Sequence, residues 1–131
     1  MNTQEIDNLV RQDRAIQQYR GVFAIDLLPR IDNGTYIVNT SPHYISQGHW
    51  VCIAKKRFFC SYGMHPHNYG IIGAVEYNAV QLQSDDSSVC GLYAVLAASL
   101  LNRNYELEEI VTVFTTCVHT NDLIVKMYFN E

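Results

Sequence analysis

Apolar positions along the chain fall into two rhythms. Residues 3–19, "TQEIDNLVRQDRAIQQY", place Ile6, Leu9, Val10 and Ile16 at helical spacing. That pattern predicts an amphipathic helix capped at Thr3 and ended by Gly21. The rhythm then shortens. "VFAIDLL" at 22–28 reads as a strand closed by Pro29, and "IDNG" at 31–34 as a turn. "TYIVN" at 35–39, "HWVCIAK" at 49–55 and "RFFCS" at 57–61 are rich in β-branched and aromatic residues and predict strands, the last two joined by a tight hairpin at Lys56. "AVQLQ" at 79–83 alternates and predicts another strand, with a short helix within 70–77 before it.

Helical patterning returns at 89–101, "VCGLYAVLAASLL", apolar on nearly every face and therefore a buried helix. "ELEEIVTVFTT" at 106–116 and "NDLIVKMYF" at 121–129 predict two more helices, the second capped by Asn121 or Asp122. A helix, then strands, then helices predicts one α+β domain over 1–131, with a mixed central sheet packed against helices.

Composition narrows the class. A chain of 131 residues, 48% hydrophobic and 17% charged, can bury a core without metal or disulfide staples. The net charge is −4 with no basic run, so electrostatics do not point to nucleic acid. No apolar stretch approaches the ~20 residues that span a bilayer, and the opening "MNTQEIDNLV" lacks the basic and apolar regions of a signal peptide. An intracellular protein is expected, with Cys52, Cys60, Cys90 and Cys117 as thiols. Their irregular spacing contains no C-x-x-C pair, which argues against a zinc site or a disulfide framework.

Three features carry candidate chemistry. Cys90 opens the buried helix behind the polar loop "SDDSS", where unpaired N–H groups favour the thiolate and lower the expected pKa. His49 follows Gly48 and precedes Trp50, the only tryptophan. Gln83 lies seven residues before Cys90, where its amide can support an oxyanion beside the Cys90 N–H. Each also has a plain reading. Cys90 is a small core residue, His49 and Trp50 are packing contacts, and Gln83 alone carries no meaning.

The order "GHW", then "FF-x-SYG", then "Q-x6-CG" resembles the adenain-like cysteine proteases of adenoviruses, virophages and Polinton elements, which share their fold with the SUMO-specific proteases. "GVFAIDLLP" and "YIVNTSP" look like the viral branch, and the resemblance runs from about residue 19 to residue 101. It implies a thiol endopeptidase, free of metal and cofactor, that processes structural precursors during virion maturation. The setting would be a host nucleus or cytoplasmic virus factory, or the virion itself. His49 matches the catalytic histidine, Cys90 the nucleophile, Gln83 the oxyanion glutamine and Trp50 the aromatic residue that lines the cleft. Protein or peptide substrates are implied, many with glycine near the scissile bond. Nucleic acid as an activator stays open.

One position departs from the pattern. The family has Asp or Glu where this chain has Cys60. That acid orients the histidine, and a neutral thiol is a poor acceptor. Neither Asp85, Asp86 nor Glu76 has a position tied to His49, and the first two read as a solvated loop or a helix cap. Asp26 matches a family-typical structural acid. Two alternatives therefore stand beside the protease: an impaired homologue that acts by binding, and an isopeptidase for ubiquitin-like modifiers. The short chain and "GVFAIDLLP" count against the second. His65 and His67, with Cys60 upstream, fit no common zinc spacing. Strand alternation puts Cys52 and Trp50 on the face opposite His49, and Cys117 reads as an inert residue at a helix end.

Overall fold

A computed structural model describes all residues, 1–131. Five strands form one sheet in the order β1-β2-β3-β4-β5: Tyr19–Ala24, Thr35–Asn39, Trp50–Ala54, Arg57–Phe59 and Glu76–Tyr77. The sheet is mixed. β1 runs parallel to β2, β2 and β4 flank β3 antiparallel, and β5 returns parallel to β4. The helices are α1 (Thr3–Gln12), α2 (Cys90–Asn102), α3 (Leu107–Thr112) and α4 (Val118–Tyr128). The α+β class expected from the pattern is present.

Alternation along β3 divides the core. Trp50, Cys52 and Ala54 face α2 in the larger apolar cluster, while Val51 and Ile53 face a smaller one with Tyr36, Phe58, Cys60 and Ile71. Cys52 lies beside Trp50 on the helix side, as strand alternation predicts. α2 is buried along nearly its whole length and packs across β3, which explains its all-round apolarity.

The differences from the predicted elements have local causes. α1 ends at Gln12, not at 19, and its cap is Asn2, paired with Glu5 in a capping box, not Thr3. Asp13 stops the helix because its carboxylate accepts the Ala15 N–H and also binds Ser99 and Arg103. The strand expected at 22–28 occupies Tyr19–Ala24, and Ile25–Leu27 coils into a 3-10 turn before Pro29. No helix forms within 70–77. A 3-10 turn forms earlier, at Pro66–Tyr69, where the His65 ring accepts the His67 N–H and Gly70 closes the turn left-handed. "AVQLQ" is not a strand: Ala79 is left-handed (φ 49), and the Leu82 and Gln83 N–H groups both bond the Ser61 carbonyl. α4 begins at Val118, so Asn121 and Asp122 lie inside the helix rather than at its cap.

Candidate active site

His49 stands at the entry to β3, held through its backbone. Its N–H donates to Thr40 Oγ1 at 3.1 Å and its carbonyl accepts the Thr40 N–H at 2.8 Å. A Cβ at Gly48 would overlap the Asn39 carboxamide, so a larger residue here displaces that side chain. The ring stacks on Tyr62 with centroids 4.4 Å apart. Nε2 lies 3.4 Å from Cys60 Sγ, which in turn lies 3.6 Å from the Tyr69 hydroxyl. No carboxylate bonds this ring. Asp85 takes the Gln81 amide, Asp86 takes the Ser84 hydroxyl and Glu76 pairs with Arg57. Burial with no compensating charge pushes His49 down to about 4.

Cys60 is fully buried just past β4. Asn78 clamps its backbone, accepting the Cys60 N–H at 2.9 Å and donating to its carbonyl at 2.8 Å. Gly63 completes the turn at φ +72, pressed against the Val80 backbone, so no other residue fits there. The position that the resemblance assigns to the acid is thus built to face the histidine, and a thiol occupies it.

Cys90 is the first residue of α2, whose N-cap, Val89, offers no side chain to the helix. Asp85 and Asp86 therefore leave that helix end uncapped. Cys90 Sγ accepts the Trp50 N–H at 3.5 Å, which ties the helix start to the residue after His49. Burial raises the thiol above its ordinary value, against the pull of the Trp50 and Gly91 N–H groups. The expectation from the helix terminus was a lowered value. Desolvation outweighs the N–H groups here because Cys90 sits on the buried side of the first turn.

Cys90, His49 and Trp50 line one open cleft of about 270 Å³, together with Gly48, Tyr62, Ser87 and Ser88. The Trp50 indole is fixed by its Nε1–H bond to the Met1 carbonyl at 3.2 Å. Gly48 and Trp50 also border a second groove of about 580 Å³, lined by Phe23, Leu27, Pro42 and Ile45. The loop on its rim is held by Asp26, which accepts the His43 N–H at 2.8 Å and lies 2.5 Å from the His43 ring.

Gln83 is fully buried behind the cleft and does not line it. Its Oε1 accepts the Ser61 hydroxyl at 2.5 Å, and its Nε2 donates to the Ser87 carbonyl and hydroxyl at 3.1 and 3.0 Å. The last helix steadies this segment. Asn121 donates to the Leu82 carbonyl, and the Asp122 carboxylate accepts the Ser84 and Tyr93 hydroxyls.

Sequence reasoning missed Tyr62, Ser87, Asn78 and Tyr69. Tyr62 lay within "FFCSYG" and Ser87 three residues before Cys90, so both were near recognised positions. Asn78 carried no signal. His65 and His67 meet edge to face at 4.5 Å, while Cys60 faces His49 instead of them. Cys117 is at the N-cap of α4 and exposed, with its thiol pKa lowered by the Thr120 hydroxyl. No helix is long and apolar enough to cross a membrane. No family model and no curated protein matches the chain.

Proposed function

We propose that this chain is a cysteine endopeptidase of the adenain-like, viral or transposon type, with that family's fold, acting on precursor proteins of a virion. One observation carries the reading: Cys90 at the start of α2 and His49 at the entry to β3 open into the same cleft, tied by the Trp50 N–H on Cys90 Sγ. Strand β3 and helix α2 bring together residues forty-one positions apart, and Cys60 faces the histidine from just past the next strand.

The pair rests neutral. With His49 at about 4 and the Cys90 thiol raised, neither is charged at pH 7. His49 then works as a general base. As sulfur attacks the substrate carbonyl, the thiol proton moves to the imidazole, and the imidazolium later protonates the leaving amine. The acyl-enzyme is released by water that the same ring activates. The Trp50 and Tyr62 walls suit a slim residue such as glycine, and the adjoining groove suits an extended chain leading to it.

A second reading is favoured by one contact. Cys60, not a carboxylate, meets the far nitrogen of His49, so the imidazolium gains little support and catalysis is weak. A glycine-containing fluorogenic peptide, tested in a Cys117→Ser background, separates the two. Cys90→Ala is expected to abolish cleavage and labelling by a thiol probe. Retained hydrolysis in that variant rules out the mechanism. Cys60→Asp is expected to raise the rate by roughly tenfold or more, since charge at this position is worth about 10⁴ in a serine triad. A wild type without turnover beside an active Cys60→Asp variant identifies a binding protein that has lost its acid.

A further inference from the structure

We propose that the Ser87 hydroxyl is a catalytic donor to the oxyanion, with Gln83 as its positioning residue. This rests on the hydrolase reading above. The Gln83 amide has a fixed orientation: the Ser87 carbonyl can only accept, so the group facing it is the NH₂. The opposite oxygen takes the Ser61 hydroxyl. The Gln83 NH₂ is therefore turned to Ser87, and Gln83 does not reach the cleft.

Ser87 does reach it. Its side chain is half-buried and lines the cleft with His49 and Cys90. Because Ser87 Oγ accepts from Gln83 at 3.0 Å, its own proton must point elsewhere. The one acceptor the protein offers is the Ser84 carbonyl at 3.5 Å, longer than the roughly 2.5–3.0 Å of an O–H···O bond. The proton is free to donate into the cleft, and accepting from the amide strengthens it as a donor.

The chemistry needs such a group. When the Cys90 sulfur bonds to the carbonyl carbon, the C=O π pair moves onto oxygen. That oxygen takes the Cys90 N–H at the start of α2 as one donor and the Ser87 O–H as the second. When the intermediate collapses, the pair returns to re-form C=O and the amine leaves with the proton held by His49. The scaffold behind Ser87 is rigid. The Leu82 and Gln83 N–H groups are fixed on the Ser61 carbonyl, and Asn121 and Asp122 hold Leu82 and Ser84.

The test uses the full chain with Cys117→Ser, comparing Ser87→Ala and Ser87→Thr. Three readouts are taken: cleavage of a glycine-containing peptide amide, inhibition by the matching peptide aldehyde, and iodoacetamide alkylation of Cys90. Ser87→Ala is expected to lose about 10²-fold in kcat with KM little changed, and to bind the aldehyde more weakly by a similar factor. Alkylation forms no oxyanion and is expected to stay at the wild-type rate. Ser87→Thr, which keeps the hydroxyl, is expected to recover most of the loss. Wild-type cleavage and aldehyde affinity in Ser87→Ala overturn the assignment, as does a matching loss of alkylation, which marks a structural role. Absence of Cys90-dependent cleavage in the wild type overturns the hydrolase reading itself, and this assignment with it.

Discussion

His49 is held neutral by its surroundings. Burial lowers it to about 4, and the thiol at its far nitrogen supplies no charge to oppose that. The unfolded chain binds a proton on this residue near pH 6.5, the folded chain only near 4. Above pH 6.5 the residue is neutral in both states and costs folding nothing; as pH falls from 6.5 to about 4 only the unfolded chain gains the proton, and stability drops by up to about 3 kcal/mol. Denaturant melts at pH 7.5 and pH 4 should show a smaller loss for His49→Gln than for wild type, and equal losses contradict the burial argument. The residue order predicts a lowered Cys90 thiol, whereas burial in the structure raises Cys90 and lowers His49. A helix N-terminus is legible from residue order, whereas the burial that opposes it depends on what packs over the sulfur.

Elements followed the apolar rhythm where one face met the core. β2, β3, β4 and α2 fell close to the predicted spans, because their side chains pack in one continuous sheet-and-helix contact. Segments governed by polar side chains did not. Asp13 cuts α1 short, and the Ser61 carbonyl draws 82–83 away from strand pairing. The β3–β4 hairpin shows the same limit. Lys55 and Lys56 are both left-handed, with φ 53 and 62, as a two-residue turn between twisted strands requires. Lysine bears strain there, which glycine relieves. Lys56→Gly is expected to stabilise the fold by about 0.5–1 kcal/mol, read as a raised denaturation midpoint with an unchanged slope. A lowered midpoint means the Lys56 side chain contributes more than the strain costs.

At the scale of the whole molecule, the last helix holds the segment that leads to Cys90. Asn121 is fully buried, bonding the Leu82 carbonyl at 3.1 Å, the Thr115 carbonyl at 2.9 Å and the Thr115 N–H at 2.7 Å. Asn121→Ala leaves these groups unpaired away from water and is expected to cost about 2–3 kcal/mol in equilibrium unfolding. A change under about 0.5 kcal/mol means that water replaces the amide. No sequence pattern announced this tie, since a polar pair at 121–122 reads as a helix cap. The sequence by itself determined the α+β class, the strands around His49 and the buried helix that Cys90 begins. These follow from local periodicity and from residue order, which a chain carries before it folds. Tertiary structure alone decided that Cys60 faces Nε2 of His49, that Gln83 turns to Ser87 instead of the cleft, and that burial raises Cys90. Each of these depends on which distant groups share a dry interior, where hydrogen bonds must be satisfied and charge is disfavoured.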